Sequence, residues 1–316
     1  MRISGFSMVR NATLLHYPIQ QAIASALPLV DEFVVAVGKG EPGDTTRAEI
    51  EALNSPKVKI IDTVWDLEAY PRGMENAHQT DIAKSHCTGD WLFYLQADEV
   101  VHEDDLPIIR ARCQQLLGDL EVEGLLFDYL HFWGDYDHVQ LNHTFYRQEI
   151  RIVRNDPQIH SWKSAQSFRR IPDFDGKSYR QKEGTHKLKV AKVNARIFHY
   201  GWARPPDLMQ RKRKALATVH HGTEDVQRRY ASAPKTFDYG AMRLASRFKG
   251  THPKVMQPLV AQFDWADQLD YSSSAPLNPE RHKHERLKYR LLSWVERTFF
   301  GNRQLFRSNN WVRLKR

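Results

Sequence analysis

A short aromatic run that ends in acidic residues constrains the fold of this chain most. Residues 91–95 (Trp-Leu-Phe-Tyr-Leu) are uncharged and are followed at once by Gln96-Ala97-Asp98-Glu99. Such a run predicts a buried β-strand. In an open α/β sheet, ligands bind where these strands end at their carboxyl edge. Two carboxylates there predict a bound cation, because desolvated acids need a positive partner. The alternative is a strand followed by a solvated turn.

The rest of the chain alternates strand-like and helix-like segments. The pattern predicts an α/β fold with a doubly wound, mostly parallel sheet flanked by helices. A mainly helical extension follows, and a small polar segment precedes a basic end. The predicted divisions are an α/β domain at 1–205 with halves at about 1–100 and 101–205, a helical extension at 206–280 and a basic amphipathic tail at 281–316.

Composition narrows the class of protein. A chain of 316 residues with 41% hydrophobic residues can bury a large core, which excludes a disordered protein. Its only cysteines, Cys87 and Cys113, cannot form a disulfide framework. No apolar run approaches the ~18 residues that a transmembrane helix needs. These features predict a cytoplasmic protein in a reducing compartment.

The positive charge is concentrated at the C-terminal end. Residues 281–316 contain eleven Lys and Arg against two Glu, a net charge of +9, whereas the preceding 280 residues carry −1. This distribution argues against a nucleic-acid-binding body and predicts an anionic surface as partner of the tail.

Residues 285–300 have the periodicity of an amphipathic helix. One arc would hold Leu287, Leu291, Leu292, Trp294, Val295 and Phe299, and the opposite side Arg286, Arg290 and Arg297. Such a helix either lies on the inner face of the plasma membrane or packs its apolar arc on the body.

The central run also resembles a known family. Gly89-Asp90-Trp91, an apolar strand and then x-Ala-Asp-Glu resemble the metal-binding strand of family 2 glycosyltransferases, which have the GT-A fold. Gln96 replaces the first Asp of the usual Asp-Ala-Asp-Glu. The resemblance implies a divalent ion, Mn²⁺ or Mg²⁺, on Asp98 and Glu99, with Gln96 and Ala97 beside the nucleotide.

Three further segments extend the resemblance. The family's first strand ends near an Asn, as Val9-Arg10-Asn11 does, and its second leads to an Asp that corresponds to Asp44. The family's Arg-Asn pair falls on Thr80-Asp81. These positions imply contacts with a nucleotide, although Asp44 equally fits a helix N-cap. In His199-Tyr200-Gly201, His199 is implied as a further metal ligand, and a packed histidine is the alternative.

The resemblance implies an activity. Family members transfer a sugar, with inversion, from a nucleotide-diphosphate sugar to an acceptor hydroxyl. Uridine diphosphate is the expected carrier, and a glycan or lipid-linked glycan of the bacterial cell surface, such as lipopolysaccharide, the expected acceptor. The acid that many members carry near the equivalent of Trp162 is missing, which leaves Asp135, Asp137 and Glu149 as candidate general bases.

Two other functions remain open at this point. A nucleotidyltransferase uses a similar sheet, but it would need a Gly-rich phosphate loop after the first strand. A non-catalytic protein that binds membranes or polyanions would use only the basic tail.

Strand alternation also predicts that Arg147, Glu149, Arg151 and Val153 share one face, with some of these arginines solvated.

Overall fold

The computed structural model describes all 316 residues. Its strands are β1 (Ile3–Val9), β2 (Glu32–Gly38), β3 (Val58–Thr63), β4 (Trp91–Tyr94), β5 (Glu99–Val101), β6 (Gly124–Gly134), β7 (His138–Val139), β8 (Gln148–Arg154), β9 (Ile159–Trp162), β10 (Ser167–Arg170), β11 (His186–Ala203), β12 (Ser246–Arg247) and β13 (Trp311–Arg313). Its α-helices are α1 (Ile19–Ala26), α2 (Thr46–Glu51), α3 (Met74–Ser85), α4 (Leu106–Gln115), α5 (Pro206–His221), α6 (Thr223–Tyr230), α7 (Gln257–Ala261) and α8 (Leu287–Phe299).

The sheet has the order β3-β2-β1-β4-β8-β6-β11-β10-β9. Strands β3, β2, β1 and β4 are parallel, β8 is antiparallel to both of its neighbours, and β6 is parallel to β11. The predicted fold class, a doubly wound and mostly parallel α/β sheet, is confirmed.

The sheet is buried on both faces, as a parallel sheet requires. In β2, Phe33, Val35 and Val37 pack into one core cluster, whereas Val34 and Ala36 pack into the other. Helices α1 and α4 cover the first face, and α3 contributes to the second. The continuous apolar runs of the sequence therefore arise because alternate side chains meet different layers of helices.

A β-bulge changes the predicted faces of β8. Leu125 of β6 is opposite Ile152, but Leu126 is opposite Ile150, so the register skips Arg151. Ile150 and Val153 consequently pack into the same cluster. The prediction that Arg147, Glu149, Arg151 and Val153 share one face is therefore wrong, since an extra residue in a strand reverses the alternation beyond it.

The C-terminal third packs on the carboxyl ends of β6 and β11. Phe132, Trp133 and Tyr200 from these strands form a third cluster with Tyr239 and Trp265. The end of the chain returns to the sheet, where β13 pairs in parallel with β11. None of the helices contains a stretch that is long and apolar enough to cross a bilayer.

Candidate active site

Asp98 lies where β4 ends, in the turn that leads into β5. Its backbone carbonyl accepts a hydrogen bond from the amide of Tyr200 at 2.8 Å, which fixes the turn against β11. The side chain is largely buried. This is the position at which the sequence predicted a candidate ligand.

His199 of β11 faces this carboxylate, and its tautomer follows from a chain of hydrogen bonds. His131 Nε2 lies 2.7 Å from the carbonyl of Tyr146, which can only accept, so this nitrogen carries the proton. Burial lowers the pKa of His131 well below its ordinary value, so its Nδ1 is an acceptor for His199 Nδ1–H at 2.9 Å. Burial also lowers the pKa of His199. The Nε2 lone pair of His199 is therefore free and lies 3.8 Å from Asp98 Oδ1.

Gly201 leaves a gap between these two groups. A Cβ atom at this position would lie 2.5 Å from His199 Nε2 and 2.8 Å from Asp98 Oδ2, closer than real Cβ contacts occur. Since both facing atoms are acceptors without a hydrogen between them, the gap suits a positive group.

Two cationic side chains lie beside the gap. The Lys212 ammonium, on α5, donates to Asp98 Oδ2 at 2.8 Å and to the Gly201 carbonyl at 2.7 Å. Arg204 is fully buried and donates to the carbonyl of Leu15, while its Nε and Nη2 have no hydrogen-bond partner. Two cations and one carboxylate leave a local surplus of positive charge, which favours an anionic ligand.

The titration of the site reflects this balance. Burial alone would favour the neutral form of Asp98, but the charge of Lys212 outweighs it and holds the pKa of Asp98 well below its ordinary value. Burial, reinforced by Arg204, lowers the pKa of Lys212 to about 8. Asp98 is thus an anion throughout the physiological range.

Glu99 has a different role from its neighbour. Its two oxygens accept hydrogen bonds from Arg151 Nε at 2.7 Å and Nη2 at 2.8 Å, and Tyr129 and the amide of Gln96 complete the set. The carboxylate is fully buried. These four hydrogen bonds use the lone pairs of the Glu99 carboxylate within the protein and so speak against Glu99 as a metal ligand, which stays an untested prediction.

Gln96 and Ala97 lie at the rim of the turn. Gln96 is half-buried, and its side-chain amide donates to the carbonyl of Ala165 at 2.9 Å. Ala165 and Lys163 both have positive φ values, so this contact holds a tightly bent loop against the end of β4. Ala97 is buried.

The predicted nucleotide residues after β1 and β2 do converge. Asn11, in the left-handed region with φ 58°, exchanges two hydrogen bonds with Glu41, and Arg10 Nε donates to the carbonyl of Lys39 at 3.0 Å. Asp44 Oδ1 accepts from Thr13 Oγ1 at 2.8 Å. These contacts join the loops after the two strands at the same edge of the sheet as Asp98, and Val9 is buried beneath them.

Asp44 also has a structural role at the start of α2, close to the N-cap role that the sequence left open. Its Oδ1 accepts from both the hydroxyl and the amide of Thr46, the first residue of α2. It therefore braces the start of that helix, while Oδ2 has no hydrogen-bond partner.

Asp81 does not lie with this group. Its carboxylate accepts from His160 Nδ1 and from the amide of Ser161, both at 2.8 Å, and so links α3 to β9. Both oxygens of Asp81 thus take part in a structural bridge, and its predicted contact with a nucleotide stays a prediction.

The three candidate bases occupy different surroundings. Asp135 is saturated by His138, Tyr271 and two backbone amides, and Asp137 is exposed. Glu149 is buried, and its Oε2 has no hydrogen-bond partner. Burial raises the pKa of Glu149 to about 7, against the charge of nearby Arg151.

Sequence reasoning missed Lys212, Arg204, His131 and Arg151. Lys212 lies in a basic helix where six residues from Arg211 to His221 are lysine, arginine or histidine, and no local pattern separates it from the solvated ones. The position of Arg204 directly after β11 could have placed it near the site. The sequence could not have shown that Arg204 is buried, which is what marks it as a candidate for binding an anion.

A divalent ion fits two protein side chains at this site. Asp98 and His199 supply an oxygen and a nitrogen ligand, and Gly201 leaves the space between them. No group of three or more His, Cys, Asp or Glu side chains converges anywhere in the chain. Any ion here would therefore complete its shell with water or with oxygens of a bound ligand.

No family model and no curated protein sequence matches the chain. Its structure is similar to that of S. aureus TarS 1–349, with 15% identity and a TM-score of 0.37 over 69% of this chain and 65% of that one. It is similar to glucosyl-3-phosphoglycerate synthase from Mycobacterium tuberculosis in complex with Mn²⁺, uridine diphosphate and phosphoglyceric acid, with 16% identity and a TM-score of 0.28 over 41% and 43%.

A third similar structure is the mannosyltransferase PcManGT from Pyrobaculum calidifontis in complex with GDP-Man and Mn²⁺. The identity is 18% and the TM-score 0.28, over 39% of this chain and 34% of that one. The chain thus covers less than two thirds of the length of each of these structures.

Proposed function

We propose that this protein is a GT-A glycosyltransferase that moves a sugar from a nucleotide-diphosphate sugar to an acceptor hydroxyl. One observation carries the proposal. Asp98 and His199 face each other across the gap at Gly201, and Lys212 and Arg204 add a surplus of positive charge. A site that can hold a cation and still attracts an anion matches the diphosphate of such a donor.

The loops after β1 and β2 support a nucleotide beside this diphosphate site. Arg10 lies over the ring of Trp65, 5.8 Å from its centroid, and Trp65 packs on Gly38 at the end of β2. An aromatic ring and polar loop groups at a carboxyl edge can bind a base and a ribose. We propose uridine diphosphate as the carrier, with Asn11 and Asp44 on its nucleoside side.

The chemistry follows from the charges. As the glycosidic bond breaks, negative charge grows on the leaving diphosphate, and buried Lys212 and Arg204 stabilise it where water is excluded. Asp98 holds Lys212 in place. A divalent ion on Asp98 and His199, when bound, would supply further Lewis-acid stabilisation of the same leaving group.

Direct displacement with inversion needs a base for the acceptor hydroxyl. We propose Glu149, because a carboxylate with a pKa near neutrality and an unpaired oxygen can accept a proton at working pH. The exposed Asp137 and the saturated Asp135 lack that combination. A glycan or lipid-linked glycan of the cell envelope is the proposed acceptor, supported by the cationic tail.

The alternative functions have less support. No Gly-rich loop follows β1, where the chain reads Arg-Asn-Ala-Thr-Leu-Leu-His, so a nucleotidyltransferase lacks its phosphate cradle. A purely structural sheet would not need a buried arginine with two unpaired nitrogens at a strand end.

The first prediction tests the site through Asp98→Asn. Uridine and guanosine diphosphate sugars should be screened by thermal shift with EDTA and with Mn²⁺, because a donor that binds the folded state raises the melting temperature. We expect wild type to bind a donor and transfer its sugar, whereas Asp98→Asn should stay folded and lose at least ~10²-fold in turnover.

Asp173→Asn is the matched control, since this aspartate is exposed and lies in a loop. It should behave as wild type. Full activity in Asp98→Asn, or no shift of wild type with any nucleotide, would contradict the proposed function.

A further inference from the structure

Helix α8 is docked on the body through its polar side. Only Ser293 and Glu296 are buried in the helix. The Ser293 hydroxyl accepts from the amide of His143 at 2.8 Å, and Glu296 accepts from His143 Nδ1 at 2.6 Å and from the amide of Leu305 at 2.8 Å. The apolar arc is therefore not what attaches this helix to the protein.

The apolar side of the helix is largely exposed and borders an open cavity that it shares with Leu141 and Leu244 of the body. Leu287, Leu291 and Trp294 recur at i, i+4 and i+7 and are 65%, 55% and 53% exposed. At 100° per residue they form one stripe opposite Ser293 and Glu296. Phe299, the last residue of the helix, lies against Trp294, and Phe300 and Phe306 beyond the helix are also exposed. The alternative that this arc packs on the body is wrong for the stripe, although Leu292 and Val295 are half-buried.

The charges around the stripe are all positive. Both acids of the tail are internal, since Glu296 binds His143 and Glu285 accepts from the amides of Ala241 and Asn278. The salt bridges of the tail involve Arg281 and His282 at its start, Arg316 at its end, and Glu296. Nine cations of the tail have no acidic partner. Five of them lie on the helix or beside it, namely Arg286, Lys288, Arg290, Arg297 and Arg303, and the other four are Lys283, Arg307, Arg313 and Lys315.

We infer that this surface, the α8 face, binds an anionic lipid bilayer, with the Leu287-Leu291-Trp294 stripe in the acyl boundary and the flanking cations at the headgroups. An exposed Trp/Leu/Phe stripe between basic side chains is the arrangement of an interfacial helix. A second copy of this chain is a poor occupant, because two faces of the same charge repel each other. The inference does not depend on the proposed transferase activity.

The test uses the full-length chain and substitutions on the α8 face. Truncation at 280 would remove His284, Glu285 and Glu296, which are buried against the body, and would confuse misfolding with lost binding. The variants are Leu291→Ser/Trp294→Ser for the apolar stripe and Arg290→Glu/Arg297→Glu for the cations. The matched controls are Val64→Ser and Leu120→Ser, exposed apolar residues elsewhere, and Arg228→Glu/Arg229→Glu on α6.

Binding is measured by co-sedimentation with vesicles of phosphatidylglycerol and phosphatidylcholine, and with vesicles of phosphatidylcholine alone. Wild type should sediment with the anionic vesicles at low salt and be released as salt rises, because the attraction is screened. Arg290→Glu/Arg297→Glu should weaken binding about tenfold or more, since one basic side chain near the surface contributes ~1 kcal/mol. Leu291→Ser/Trp294→Ser should weaken it to a similar extent, because less apolar surface is then buried in the acyl boundary. Controls should bind as wild type.

Melting curves confirm that each variant is folded. Equal sedimentation of wild type and α8-face variants, or none by wild type, would overturn the inference. Sedimentation of wild type without vesicles, abolished by Leu291→Ser/Trp294→Ser, would show instead that the α8 face joins copies of the chain.

Discussion

The pKa of Glu149 is set by its buried position and not by its residue type alone. Its raised pKa means that between about 4.5 and about 7 the folded protein keeps a proton that the unfolded chain has released. Raising the pH through this window therefore favours unfolding. The stability contributed by the neutral acid is full below about 4.5 and lost as pH approaches 7.

We predict two effects of Glu149→Gln. Relative to wild type, the variant should gain stability as pH rises from about 4.5 to 8, since glutamine cannot ionise, and denaturant titration at both pH values measures this. Its turnover at saturating donor should fall about 10²-fold while donor affinity survives. Asp137→Asn should show neither effect. A stability gain without loss of turnover would mean that Glu149 is buried but is not the base.

Lys212 competes with a metal ion for Asp98 and also attracts the diphosphate, so its removal should have effects of opposite sign. In Lys212→Met, calorimetry should show tighter Mn²⁺ binding in the absence of nucleotide and weaker uridine diphosphate binding in EDTA. Each change should be about tenfold, from one buried charge at contact distance. Lys214→Met, exposed on the same helix, is the control. Changes of the same sign would show that Lys212 only supports the fold.

At the scale of elements, the Glu99–Arg151 pair joins β5 to the bulge of β8. Glu99→Ala would leave a buried guanidinium unpaired, and we predict a loss of about 3–5 kcal/mol in the free energy of unfolding, measured with urea. Glu121→Ala, in a surface pair with Arg316, should cost less than about 1 kcal/mol. A stable Glu99→Ala protein with lost Mn²⁺ binding would restore Glu99 as a ligand.

At the scale of the whole molecule, the chain separates two surfaces. The carboxyl edge of the sheet gathers the candidate active site, and the α8 face carries the exposed cations and apolar residues. Strand β13 and the internal bonds of Glu285 and Glu296 fix the tail to the body. The position of the site and the position of the α8 face are therefore both set by one folded unit.

The sequence by itself determined the alternating strands and helices, the strand that ends at Asp98 and the basic amphipathic tail. These are local patterns, because periodicity and charge along a segment report which of its sides is buried. It also placed His199 correctly on a strand.

Only the tertiary structure decided which of two adjacent acids, Asp98 or Glu99, faces the gap at Gly201 and can bind an ion. Asp98 and Glu99 are equivalent in the sequence, but successive side chains point to different sides, and their partners Lys212 and Arg151 lie 114 and 52 residues away. The same holds for α8, whose pattern predicted an apolar and a basic side but not which one docks. That choice depended on His143, 153 residues from Glu296, offering a hydrogen bond rather than an apolar surface.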